Sequence, residues 1–254
     1  LIDLSAWEPV TTGESGATVY RSPDRSRYAK TGGDDLEDER DRIEWLNAQH
    51  IPAPTVLEWA TGPRGPVLVT SAVDGIPADQ LNAEDLDRAW PAIADVVRRL
   101  HAIPTADCPF TRDLATTMAL ARDVVARDAV NPDFLPDRDR DVPAAALLAR
   151  VMAQLPERLA QEPAALVVCH GDLCLPNILI VPGDFSVAGF IDLGRLGLAD
   201  RHTDLALLFA NSRETWSEGT RADMAHARFL ESYGRPADPE RLEFYLQLDS
   251  LTWG

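Results

Sequence analysis

Apolar and polar positions alternate at short range over the first third of the chain, then settle into helical spacing for most of the remainder. Residues 7–12, 17–20 and 27–30 read as three strands, separated by Gly13-Glu14-Ser15-Gly16 and by the turn Ser22-Pro23-Asp24. After Gly32-Gly33 the period becomes helical. Leu36, Ile43 and Leu46, with Trp45 alongside, make one apolar face, and the charged run Glu37 to Arg42 occupies much of the rest. Glu39 lies four residues before Ile43 and seven before Leu46, so it points with the core face. Pro52-Ala53-Pro54 ends this segment. Residues 55–59 and 66–73 then read as strands of a hairpin turning at Gly62-Pro63-Arg64-Gly65, and the second runs into Asp74-Gly75. A compact sheet with one helix follows, with residues 71–75 as the connector to a second lobe.

Beyond the connector the pattern is mainly helical. Asn82 reads as an N-cap before an acidic first turn, and 90–101 places Ile93, Val96, Val97 and Leu100 on a core face, with His101 as a helix-terminal or packing residue. A helix is expected over 114–130, an exposed turn at 137–141, and a further helix starting near Pro143 that Pro156 bends or ends. Short buried strands are expected at 166–169, 178–181 and 187–191. Helical segments at 205–210 and 242–248 and around Met224 to Leu230 follow, with a loop over 211–219. The expected fold class is α+β in two lobes, an antiparallel sheet plus helix over 1–75 and a mainly helical lobe over 76–254.

Composition narrows the partners. The 254 residues carry 24 Lys and Arg against 41 Asp and Glu, a formal charge of -17. That balance disfavours nucleic acid or an anionic membrane as the main partner and suits a cationic ligand. Cys108, Cys169 and Cys174 supply neither a paired disulfide framework nor a Cys-x-x-Cys knuckle, as expected for a reducing compartment. No apolar run approaches 18 residues and the opening Leu1-Ile2-Asp3-Leu4 carries no basic segment with a signal core, so the expectation is a cytoplasmic protein with no membrane and no obligate protein partner.

Candidate chemistry gathers at His170-Gly171-Asp172-Leu173-Cys174-Leu175-Pro176-Asn177 and Ile191-Asp192-Leu193-Gly194. An Asp, an Asn five residues later and a second Asp across a hairpin can set a general base beside a divalent ion and its phosphates. The competing reading is that each of Asp172, Asn177 and Asp192 only forms a turn. Backbone amides of a hairpin such as 13–16 can approach phosphate oxygens, although an ordinary hairpin has the same sequence character. Lys30 ends the third strand, and Glu39 is the carboxylate placed to hold its ammonium. Asp204, near the start of a helix, either caps it or ties down the loop bearing Asp172.

These motifs together resemble the aminoglycoside phosphotransferase family, relatives of the protein kinase fold. The resemblance runs in order through Gly13 to Gly16, Tyr28-Ala29-Lys30, Glu39 to Arg42, the two motifs above and Phe244 to Asp249. Asn131 to Pro136 and Leu248 to Gly254 are most similar to the streptomycin 3''-phosphotransferase branch. It implies a two-lobed protein-kinase-like fold and a magnesium- and ATP-dependent transfer to a cationic aminoglycoside, streptomycin in that branch. Residue by residue it implies Asp172 beside the acceptor hydroxyl, Asn177 and Asp192 on Mg2+, Lys30 on the α- and β-phosphates with Glu39 orienting it, and Gly13, Glu14, Ser15 and Gly16 over the phosphates. His170 would support the catalytic loop. The same resemblance favours a carboxylate-lined acceptor cleft, with 211–219 as a substrate-side loop and Glu214 and Asp249 on that surface. Another small hydroxylated acceptor, or a kinase-like binding protein without turnover, would use the same scaffold.

Overall fold

The structure, a computed structural model, describes residues 2–10, 17–33, 35–63 and 65–254. The chain divides into two compact units, Leu1–Gln80 with Pro176–Arg195, and Leu81–Leu175 with Leu196–Gly254. The first unit is therefore discontinuous in sequence, taking in a second segment far beyond residue 75.

That unit opens with β1 (Glu8–Val10), β2 (Thr18–Arg21) and β3 (Arg27–Thr31), followed by α1 (Leu36–Ala48), β4 (Val56–Gly62), β5 (Gly65–Ser71) and the two-residue β6 (Ile76–Pro77). The first five strands form an antiparallel sheet in the order β1-β2-β3-β5-β4. Ala29 lies opposite Val69, and both are fully buried, which fixes the face that receives α1. The helix buries Leu36, Glu39, Ile43 and Leu46, the face its spacing predicts. It is also fastened at its polar side. The Arg40 guanidinium lies 4.7 Å above the Trp59 ring of β4, and Asn47 Nδ2 donates to the carbonyl of Pro54 at 2.7 Å.

The second unit begins at α2 (Ala83–His101), whose Asn82 side chain accepts from the backbone N–H groups of Glu84 and Asp85, the cap its sequence predicts. It continues through α3 (Leu114–Ala126), α4 (Ala144–Gln161) and β7 (Leu166–Cys169). Helix α4 does not end at Pro156. It runs on to Gln161, although the proline leaves the Met152 carbonyl without its helical donor. Helix α3 stops four residues short of expectation, with Asp128 turning into the left-handed region at φ +53°.

The chain then returns to the first unit for β8 (Ile178–Ile180) and β9 (Val187–Phe190), which with β6 form a three-stranded sheet ordered β6-β8-β9. It re-enters the second unit at β10 (Gly197–Asp200), antiparallel to β7, and closes with α5 (His202–Thr215), α6 (Gly219–Tyr233) and α7 (Pro239–Ser250). Residues 211–215, expected in a loop, are helical because Ser212 is buried and the apolar face of α5 continues past Phe209 to Trp216. One core gathers Leu114, Met118, Val151, Ala206, Phe244 and Leu248 from α3, α4, α5 and α7. Another packs Trp90 edge-to-face with Trp216 and against the tilted ring of Phe229, with the Trp90 indole N–H satisfied by the carbonyl of Ala225 at 2.8 Å. Among the described residues, no helix is long and apolar enough to cross a membrane.

Candidate active site

In the first unit, β3 delivers Lys30 beside the buried face of α1. Its Nζ donates to Glu39 Oε1 at 2.7 Å and to Asp192 Oδ1. The lysine and glutamate side chains are only 19% and 10% exposed. Burial lowers the Lys30 pKa, but Glu39 and Asp192 more than offset it and hold it above its ordinary value. The pair anticipated from spacing is thus a charged clamp with a second carboxylate drawn onto the same nitrogen.

Asp192 and Asn177 come from one end of the β8–β9 hairpin. Ile178 is paired with Phe190, and the Ile191 N–H donates to the Asn177 carbonyl at 3.0 Å, so the flanking residues leave the ladder together. Asn177 is buried, whereas Asp192 is exposed and sits at φ +58°, a left-handed conformation that Asp tolerates better than most residues. The hairpin is held to the segment after α1. Phe190 N–H donates to the Pro52 carbonyl at 2.9 Å, and a Cβ on Gly189 would stand 3.2 Å from that oxygen, so a side chain there would crowd the approach. The turn Leu193–Arg195 packs against α1, bringing the backbone at Gly194 beside Glu39. An amide oxygen and a carboxylate are hard oxygen donors of the type magnesium takes, and the chemistry of this donor set fits that ion.

In the second unit, β7 leads into the loop bearing Asp172, which is partly buried. The fully buried Asp204 of α5 accepts from the N–H of His170 at 2.7 Å, the N–H of Gly171 at 2.8 Å and Nε2 of His101 at 3.0 Å. Burial raises the Asp204 pKa, but these bonds and the charge of the neighbouring histidines outweigh it, leaving the carboxyl below its usual range. Of the two readings of Asp204, tying down the loop is the one the geometry supports. Gly171 takes φ +82°, and His170 Nδ1 accepts the N–H of Asp172 at 3.2 Å, bending the backbone back around the imidazole. The Asp172 carbonyl then accepts from Cys174 N–H at 3.0 Å, and Leu175 N–H donates to Asn211 Oδ1 of α5 at 2.8 Å.

His101, Cys169 and Asp204 present ligand atoms within 4.8 Å of one another, a spacing a metal could use. Their bonds point instead to a support for the loop. Burial pushes the Cys169 thiol well above its ordinary pKa, and it faces the carbonyls of Ala199 and Asp200, while His101 Nδ1 is engaged by the Tyr233 hydroxyl at 2.7 Å. His101, expected only to end a helix or pack, is therefore part of the machinery that holds Asp204. Asn211 had no signal in the sequence, because its partner is a backbone N–H that any residue could supply.

The remaining candidates separate. Gly13, Glu14, Ser15 and Gly16 lie outside the described residues. Glu214 is exposed on the last turn of α5. Asp249 lies inside α7 instead of following it, and is buried. Its carboxylate accepts from Trp253 Nε1 at 3.0 Å and stands 3.9 Å from the Arg112 guanidinium.

An antiparallel sheet whose lysine is clamped from the adjoining helix, followed much later in the chain by a hairpin ending on Asn and Asp, defines a kinase-like phosphotransferase. The relation reaches the whole sequence. The chain belongs to the phosphotransferase enzyme family APH, whose model matches residues 7–245. It is 58% identical over 252 residues to a streptomycin 3''-kinase of Streptomyces griseus, covering 98% of this chain and 93% of that one. It is 38% identical to an aminoglycoside 3'-phosphotransferase of Streptomyces fradiae, covering 96% and 94%. The structure of an APH(3'')-type aminoglycoside phosphotransferase from Streptomyces rimosus, in complex with ADP and streptomycin, superposes with a TM-score of 0.94 at 52% identity over 100% of both chains.

Proposed function

We propose that this chain transfers the γ-phosphoryl group of ATP to the 3''-hydroxyl of streptomycin and so inactivates the antibiotic. The observation that carries the phosphotransfer reading is the Lys30 clamp, in which one buried ammonium is fixed between Glu39 and Asp192. Lys30 then meets the α- and β-phosphates as a preorganised charge, with the 13–16 segment over the phosphates. Asn177 and Asp192 would hold Mg2+. When bound, that ion supplies neutralisation of the negative charge on the phosphate oxygens. Asp172 orients the acceptor hydroxyl and takes its proton as the new oxygen–phosphorus bond forms and the bond to the ADP oxygen breaks.

Acceptor identity is supported by the streptomycin 3''-kinase likeness and by the charge of -17, which suits a polycationic acceptor bearing guanidinium groups. In this reading the exposed Glu214 faces the acceptor's guanidinium groups, while Asp249, buried and engaged by Trp253 Nε1, would have to give up that bond to do so. The reaction belongs in the cytoplasm, where ATP is supplied. The test is incubation with ATP and magnesium against streptomycin and kanamycin, reading product mass and the position of the phosphate. Phosphate on the 3''-hydroxyl of streptomycin alone is the expected result. Turnover of kanamycin without streptomycin would overturn the acceptor assignment, and nucleotide binding without turnover would favour a kinase-like binding protein.

A further inference from the structure

Helix α5 reaches the loop bearing Asp172 twice. Asp204 accepts the N–H groups of His170 and Gly171 where the loop leaves β7, and Asn211, seven residues further along the helix, accepts the N–H of Leu175 where the loop ends. Seven residues are close to two helical turns, so both side chains project from one face, separated by roughly 10 Å along the axis. Leu175 is 1% exposed, and the next residue, Pro176, has no N–H to offer in its place. The Leu175 N–H is thus the last donor available for fixing this end of the loop before Asn177.

We propose that Asn211 is a positioning residue for phosphoryl transfer, holding the downstream end of the loop so that Asp172 keeps its place. A continuous path connects them: Asn211 holds Leu175, Leu175 follows Cys174, and Cys174 N–H donates to the carbonyl of Asp172. Asp204 pins only the upstream end. Without the Asn211 bond, the stretch between Gly171 and Asn177 loses its anchor to α5, and the backbone at Asp172 can shift about the left-handed Gly171.

The inference rests on the assignment of Asp172 as the acceptor-facing group, and one experiment separates the two. Wild type, Asn211→Ala, Asn211→Asp, Asp172→Asn and the double variant Asp172→Asn/Asn211→Ala are compared for kcat, KM for ATP and streptomycin, and thermal midpoint. Asn211→Ala is expected to lower kcat by about 10- to 100-fold, with KM for ATP within about twofold and the protein folded at the assay temperature. Asn211→Asp keeps an acceptor oxygen and is expected to recover most of that loss. The double variant is expected to be no slower than Asp172→Asn, because a loop with no reactive carboxylate gains nothing from being held. Wild-type kcat in Asn211→Ala, failure of Asn211→Asp to recover activity, or a kcat loss that only follows the unfolded fraction would each overturn the positioning role while leaving the function intact. Full turnover by Asp172→Asn would instead overturn the assignment of Asp172, and this inference with it.

Discussion

Replacing Asp204 by Asn changes one atom and removes a charge on which three donors converge. In the native protein one carboxylate oxygen accepts from both the His170 N–H and His101 Nε2, and the other accepts from the Gly171 N–H. An asparagine has one acceptor. Its least damaging orientation keeps the oxygen toward His170 and His101 and turns the amide NH2 against the Gly171 N–H, so two donors face each other where water has no access. A charge-assisted bond worth about 1.5–3 kcal/mol is lost, and the two that remain become neutral bonds of about half their former strength. The sum is roughly 3–6 kcal/mol, against a total stability of about 5–15 kcal/mol for a folded protein. With 1 kcal/mol displacing the melting midpoint by about 2–4 °C at this size, the expected fall is about 6–24 °C. Urea unfolding followed by tryptophan fluorescence, with the slope compared between variants, measures the same quantity independently. A variant within about 1 kcal/mol of wild type, with unchanged kcat, would refute the claim that this carboxylate holds the loop.

Glu39→Gln keeps an acceptor oxygen for Lys30 but removes its charge, and the lost charge pairing of about 1.5–3 kcal/mol should lower kcat/KM for ATP about 10- to 100-fold while streptomycin binding is retained. Equal nucleotide kinetics in the variant would show that Glu39 does not orient the lysine. Trp59→Ala removes the ring beneath Arg40, a contact of about 0.5–1 kcal/mol at an exposed site, and should raise KM for ATP a few-fold as α1 loosens. Isothermal titration with a non-hydrolysable ATP analogue reads this directly. His226 is buried against Phe209, Trp90 and Trp216 with Nε2 on Ser212, and burial first, then the charge of Arg213, lowers its pKa to about 4, with Asp223 opposing. Its contribution to stability is complete above about pH 6.5 and is lost as pH falls toward 4, a swing of about 3 kcal/mol. The pH dependence of urea midpoints should flatten across that window in His226→Gln.

The parts of this molecule that were legible in the sequence are those whose cause is local. The spacing of Glu39 relative to Ile43 and Leu46 was enough to place a carboxylate on the core face of α1, and the Lys30 pair followed from it. Asn82 announced the start of α2 because its partners lie two and three residues away. What was not legible depends on partners remote in sequence. Strand β10 is four residues containing a glycine, and it becomes a strand only by pairing with β7 some thirty residues earlier. Residues 211–215 carry polar side chains suited to a loop, yet burial of Ser212 and Trp216 extends the helix through them. Pro156 obeyed its usual rule of removing a hydrogen bond, but α4 is packed on both sides of it and runs on to Gln161.

The two-segment composition of the first unit bears on how the chain is made. Residues 1–80 leave the ribosome first, but the hairpin that completes their unit, together with the Asp192 carboxylate that balances Lys30, follows only once residues 176–195 have been synthesised. Until then β6 lacks its β8 partner, and Pro52 lacks the strand that bonds its carbonyl. At about 5–20 residues per second, that interval lasts roughly 5–20 seconds, long compared with the formation of a local hairpin or helix. The nascent amino-terminal unit thus waits through nearly half of translation with β6 unpaired and Lys30 balanced by Glu39 alone. Chaperone occupancy and aggregation on stalled ribosomes should concentrate in that window and fall sharply once the 178–190 hairpin has emerged.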